Sequence, residues 1–275
     1  MQREQAAQPF APADVGANAP PRLSDALGKT NFMSPEARFE RELEQLRRDS
    51  NAAIQFLYAW ISFHACAGSS TKIRRGVNRT PLFWNTCLGA LQTSLFIALG
   101  RIFDRNPKSH SLDRLLREAI QNPEIFSKRA LAKRRAKQSP GATWINDYVK
   151  DAYVPTKADF QRLRRYVMKK RTVYEKAYEK IRHKIFAHSG VASRQKSDEL
   201  FSKTNLHELQ RLVLSMNELH EALWQLYING RRPLFRRIAY TIAALRRRAA
   251  KKDRHVPSVQ ESMVKESFDA LAVYK

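Results

Sequence analysis

The segment from Tyr174 to Gly190 reads YEKAYEKIRHKIFAHSG and places Arg182 six residues ahead of His188, with a second histidine at His183. An imidazole with a pKa of about 6.5 accepts or releases a proton at neutral pH, and a permanently charged guanidinium grips two phosphate oxygens at once. Together these groups suit acid–base chemistry on a phosphodiester. On a straight helix, residues six apart sit roughly 9 Å apart along the axis and about 120° apart around it, so one copy of the pair does not converge on one phosphate. The same residues also have structural readings. His188, beside Gly190 at a helix end, suits a cation facing the helix dipole. His183 fits a solvated helix face as well as a residue that orients the pair, and Tyr174 and Tyr178 at i,i+4 suit packing. No Gly-rich phosphate loop, GxSxG, HExxH or clustered acids for two-metal chemistry occurs in the chain. Cys66 and Cys87 stand in apolar stretches without CxxC or zinc spacing, which argues against a disulfide scaffold and a zinc site and fits a reducing cytoplasm.

The elements that carry this segment read as helices. Ser34-Pro35-Glu36 combines a cap, a first-turn proline and an acid that matches the dipole, and opens a long helix to about Ala67, stopped by Gly68. Thr80-Pro81 starts a second helix ending near Arg105. Ser111 caps a third, and Asn122-Pro123-Glu124 a fourth that turns strongly basic. A short helix is expected around Trp144 to Ala152. Thr156 to Asp159 resembles a capping box opening the longest helix, to about His188, where Ser189-Gly190 ends it. After a polar linker, Thr204 caps a helix to about Asn229 with Leu206, Leu209, Leu212, Val213, Met216, Leu219, Leu223 and Leu226 as its apolar stripe, and Gly230 stops it. Pro233 opens a last helix finishing in Arg246, Arg247 and Arg248, and the tail beyond Pro257 adds a short amphipathic turn. No alternating β-branched run and no fixed repeat appear. The expectation is an all-α chain, an antiparallel helical bundle with an added basic C-terminal helix. Its organisation is a disordered arm at 1–33, a helical domain at 34–230, and a basic helix and tail at 231–275.

Fifty Lys and Arg against 26 Asp and Glu give the 275-residue chain a formal charge of +24, which points to a polyanionic partner, nucleic acid first. Residues 125–137, 161–184 and 231–254 hold six, ten and ten of the cations against none, two and one acids. Lys133, Arg134, Arg135, Lys169, Lys170, Arg171, Lys184, Arg246, Arg247 and Arg248 are the candidate RNA contacts. The middle run leads into Arg182 as a phosphate track should. Tyr166, Phe235 and Tyr240 are the few aromatics interleaved with the runs, so phosphate contact is expected to outweigh base stacking. Two windows, Ser50 to Thr71 and Thr80 to Gly100, carry no Lys, Arg, Asp or Glu and are about long enough to span a bilayer. Their Gln, Asn, Ser, Thr and His residues suit a protein core better than lipid, so no membrane partner is expected. The first 33 residues, with four prolines and no apolar core, do not read as a secretory signal.

The string Arg182-His183-Lys184-Ile185-Phe186-Ala187-His188, an arginine, a polar residue, four residues and a histidine, resembles the active-site motif of the HEPN superfamily of helical bundles. The wording IRHKIFAHS looks most like the abortive-infection type, and Leu99-Gly100-Arg101-Ile102-Phe103-Asp104-Arg105 is similar to that subfamily as well. The resemblance covers about residues 36–228. It implies a metal-independent endoribonuclease without a cofactor, a bacterial toxin or anti-phage effector. Arg182 and His188 would act as catalytic residues, with His183 beside them. In such a site the RNA 2′-hydroxyl is the nucleophile, histidine moves protons and arginine holds the charged phosphorane. The resemblance also implies a cytoplasmic homodimer whose two motifs share one cleft, RNA as substrate, and an antitoxin protein as a further partner. Arg101 reads as a buried ion pair or a phosphate contact, the ion pair being favoured. Gly190 stands where some HEPN toxins carry a tyrosine for adenylation, so that control is not implied. The alternative is a non-catalytic HEPN-like module binding RNA or protein, a type that often lacks the arginine or histidine present here.

Overall fold

The computed structural model describes residues 33–183, 204–235, 238–249 and 256–274, and among these it is all helix, with no strand. The helices are α1 (Pro35–Ser69), α2 (Thr71–Val77), α3 (Pro81–Ile102), α4 (Leu112–Gln121), α5 (Lys128–Gln138), α6 (Ile145–Lys150), α7 (Lys157–Ala177), α8 (Glu179–Ile181), α9 (Leu206–Asn229), α10 (Ile242–Ala249) and α11 (Val259–Leu271).

α1 begins as its residues dictate: the Ser34 hydroxyl accepts the Ala37 amide and Pro35 occupies the first turn. Its apolar residues recur every three or four positions, and Phe39, Leu43, Leu46, Ile54, Leu57, Tyr58 and Ile61 are buried. α3, α4, α9 and α11 all pack on this spine. Polar ties fix the register between α1 and α4. Glu42, buried on α1, forms an ion pair with Arg114 Nε at 3.0 Å and lies 2.8 Å from His110 Nδ1, which matches the requirement that a buried carboxylate be paired. A smaller cluster of Cys66, Ile73, Val77 and Leu271 joins the far end of α1 to α2 and the C-terminal turn. Both cysteines are free thiols.

Several expected boundaries hold. The Thr156–Asp159 capping box is present, with Asp159 Oδ2 accepting the Thr156 amide at 2.9 Å. Gly230 ends α9 at φ 58°, a left-handed cap that glycine adopts without strain.

Others are corrected. The helix expected from Thr156 to His188 ends at Ala177, so α1, with 35 residues, is the longest among those described. Tyr178 causes the break: its ring is fully buried, its hydroxyl donates to the Asn205 carbonyl at 3.1 Å, and the chain restarts as α8. The cap of α9 is Asn205 and not Thr204, its side chain accepting the amides of His207 and Glu208. The helix expected from Asn122 begins as a single tight turn (Pro123–Phe126), and Ser127 caps α5 instead. Pro233 opens no helix: residues 231–235 lie outside any helix. There Arg162 donates to the Pro233 carbonyl at 3.0 Å and Phe235 stacks on Tyr166 with ring centres 3.8 Å apart. The tail expected as a short turn is α11, a 13-residue helix with its own capping box at Ser258 and Glu261.

The first uncharged window forms the heart of α1, where Ser50 and Ser62 are fully buried. The second behaves differently. α3 is long and apolar enough to cross a membrane, yet only its last third lies in the core. Leu82 and Phe83 near its start are 82% and 59% exposed, which corrects the expectation that the whole window is interior.

Candidate active site around Arg182

Two elements build the surroundings of Arg182: the end of α3 with the loop after it, and the end of α7 with α8. α3 delivers Leu99 and Ile102 to the core and presents Gly100 toward Arg182. A β-carbon at Gly100 would lie 2.1 Å from Arg182 Nε and 2.5 Å from its Cδ, so the arginine lies directly on the bare backbone of α3. Glycine in a helix body is a disfavoured choice, and close approach is the physical reason to keep it. The neighbouring residues clamp the two elements. Phe103 stacks on Tyr174 of α7 with ring centres 4.8 Å apart, Arg105 pairs with Glu175, and Arg101 pairs with buried Asp49 of α1 at 3.2 Å. Arg101 is thus an ion-pair residue, as favoured from the sequence, although its own side chain stays largely exposed.

The charge environment follows from this packing. Arg182 Nε is buried and has no hydrogen-bond partner among the described residues. Asp104 is held below the usual carboxylate range, first by the Asn106 amide that donates to it and further by the charge of Arg182. Tyr174 is pushed up to about 12 by burial, against the opposing pull of Arg182. The Arg182 amide donates to the Tyr178 carbonyl at 3.1 Å, after which the chain enters a wider, π-type turn at Arg182 and His183. Such turns are frequent at functional sites. Arg182 Nη1 lies 3.4 Å from His183 Nε2, a contact that a neutral imidazole accepts. His183 is exposed. His188 and Lys184 lie outside the described residues.

Beside this site, one helical turn back from Gly100 at Phe96 and from Arg182 at Tyr178, opens an apolar groove of about 150 Å³. Phe56, Trp60, Leu95, Phe96, Tyr178 and Leu209 are among its walls. Leu206, also in its wall, stays 43% exposed.

The candidate RNA contacts are spread over several faces. Arg134 is buried, with Nη1 bonded to Glu36 at 2.6 Å and to the Ile125 carbonyl at 2.8 Å, and Nη2 to the Tyr227 carbonyl at 2.9 Å. Its guanidinium also covers the Tyr227 ring, so Arg134 serves the core and presents nothing to a phosphate. Arg135 bonds Tyr148 and Asn229. Arg171 is buried and paired with Asp113 at 2.9 Å. Lys170 is half-buried over the Tyr166 ring, its pKa lowered by that burial. Lys133, Lys169, Arg246, Arg247 and Arg248 are exposed. Of these, Arg246 covers the Phe268 ring and Arg248 pairs with buried Glu261 at 3.2 Å. Tyr166 and Phe235 are occupied with each other, and Tyr240 meets His207 edge-on.

The family model for AbiU2, of HEPN type, matches residues 36–250. The chain belongs to the HEPN AbiU2 family. This places it in a HEPN-type abortive-infection family, whose match opens at the first turn of α1 and closes just after α10. It therefore takes in the segment after Gly230 and the basic α10, beyond the limit of residue 228 expected from the sequence. No curated protein and no solved structure matches the chain. For an AbiU2-type HEPN chain, the seat that Gly100 makes for Arg182 is the feature sequence reading missed. Its signal was present in a glycine near the end of α3, inside a helix body where glycine is disfavoured.

Proposed function

We propose that this AbiU2-type HEPN chain is a metal-independent endoribonuclease, acting in the cytoplasm as a toxin or anti-phage effector. The observation that supports it most is Arg182 itself. A guanidinium that leads the family's motif is seated against Gly100 with its Nε buried on α3 and its Nη1 beside exposed His183, which holds a fixed positive charge next to an imidazole, as stabilising a charged phosphorane requires.

In the proposed reaction the RNA 2′-oxygen attacks its own phosphorus and the bond from phosphorus to the 5′-oxygen breaks. A histidine takes the 2′-proton and a histidine returns a proton to the leaving 5′-oxygen, with Arg182 neutralising the phosphorane between them. The products are a 2′,3′-cyclic phosphate and a 5′-hydroxyl. His188 is the proton-transfer residue, and two copies of the motif share one cleft in a homodimer. The apolar groove beside Arg182, with exposed Leu206 in its wall, offers a pairing surface close to the site.

The test is product chemistry together with assembly. RNA cut by the wild type with chelator present is expected to end in cyclic phosphate, a 2′-deoxy residue at the cleaved position is expected to block cutting, and Leu206→Glu is expected to reduce both dimer mass and cleavage. Cleavage that ignores the 2′-hydroxyl would refute the reaction, and full activity in a strict monomer would refute the shared cleft.

A further inference from the structure

Arg171 raises a question that the site around Arg182 does not answer. It is 5% exposed, a depth at which a cation is normally fully paired, yet among the described residues its guanidinium meets one carboxylate, Asp113, and the sulfur of Met168 at 4.0 Å. Its Nε has no hydrogen-bond partner. The side chain forms part of the wall of a cleft of about 400 Å³ between α4 and α7. Two further cations line the same cleft: Arg117, one helical turn after Asp113 on α4, and Arg164, two turns before Arg171 on α7. Both are exposed, and neither has a carboxylate partner among the described residues. Three guanidinium groups and one carboxylate thus converge on a cavity with two net positive charges, whose remaining walls include Gln121, an amide able to donate, and apolar Ile120 and Met168.

We propose that this cleft is a phosphate-binding subsite. Arg171, oriented by Asp113, forms its floor, and Arg117 and Arg164 close on the phosphate from the two helices. Planar guanidinium forks hold phosphate oxygens in pairs, which suits this arrangement better than three independent point charges. The phosphate is that of an RNA backbone or of a small phosphorylated ligand. Placing it along a substrate rests on the proposed RNA-cleaving function. Eleven residues, taking in the end of α7 and all of α8, separate Arg171 from Arg182 in the chain. An RNA strand cut at Arg182 then has a second anchor in the α4–α7 cleft.

The double variant Arg117→Gln/Arg164→Gln tests this, since both side chains are exposed and an unchanged melting temperature verifies folding. Binding of a short single-stranded RNA is measured against salt concentration, and thermal shift is measured with inorganic phosphate and with adenosine monophosphate at constant ionic strength. For an RNA backbone phosphate, the variant binds roughly tenfold more weakly at low salt and the slope of log affinity against log salt falls by about 1 to 2. For a small phosphorylated ligand, RNA binding is unchanged, while phosphate or the nucleotide raises the melting temperature of the wild type and not of the variant. Unchanged RNA affinity and slope together with no phosphate-specific shift in the wild type would overturn the subsite. A wild type that cuts no RNA yet loses salt slope on substitution would leave the subsite standing and refute the enzymatic reading alone.

Discussion

A glycine in the body of a helix forfeits about 1 kcal/mol against alanine, and α3 contains two, Gly89 and Gly100, whose surroundings differ. Nothing lies within 4 Å of a β-carbon built at Gly89, whereas at Gly100 it would strike Arg182. Gly89→Ala is therefore expected to raise stability by about 0.5–1 kcal/mol with activity intact. Gly100→Ala is expected to lower it by about 1–3 kcal/mol and to reduce RNA cleavage strongly, because the arginine is pushed off its seat. Urea denaturation and a cleavage assay on both variants check this contrast. A second residue sets a pH dependence. His220 is 8% exposed and its pKa is lowered from 6.5, chiefly by burial. The unfolded chain binds a proton near 6.5 that the folded chain refuses until a lower pH, so stability falls as pH drops below about 6.5. His220→Gln should flatten that decline in melting temperature between pH 7.5 and 5.5.

At the scale of elements, caps and stripes made the long helices legible. Ser34-Pro35 opens α1 and Gly230 closes α9 where the sequence says they should, and the stripe from Leu212 to Leu226 is buried as its spacing implies. What the sequence concealed are contacts between distant segments. α2 has seven residues and too few apolar positions to show a period, and its place is set by Gly76 lying under the Tyr274 ring. The break at Tyr178 has no glycine or proline to announce it, since a buried tyrosine bonded to Asn205 produces it. Pro233 has the position of a first-turn proline but lies in a non-helical segment, where its carbonyl accepts Arg162 and Phe235 stacks on Tyr166. α11 reads as a tail by charge and length, yet Val264 and Leu271 are buried and its Glu261 is an interior partner of Arg248. Removing residues 256–275 is thus expected to abolish cooperative unfolding by circular dichroism, although the family match ends at residue 250. Val264→Ala should lower stability by about 1–3 kcal/mol.

At the scale of the whole molecule, net charge did not sort the cations into their tasks. Arg134 shows why: its position within the run 125–137 looks like a solvated track, and only the fold brings Glu36 and Tyr227 around it. The motif arginine was singled out by the resemblance of its segment. Its seat was not legible, because Gly100 and Arg182 are 82 residues apart in the chain and meet only where the end of α3 approaches the residues just after α8. The proposal that this chain cuts RNA joins that seat to the histidine at the end of the motif, and one comparison tests it most directly. Wild type and His188→Ala are incubated with total cellular RNA in the presence of EDTA, and RNA binding by both is measured in parallel. The expected result is cleavage by the wild type, slowed by roughly 10² to 10⁴ fold in the variant with RNA affinity nearly unchanged, because a proton-transfer group acts in the transition state more than in ground-state binding. No cleavage by the wild type, or equal cleavage by both proteins, would contradict the account.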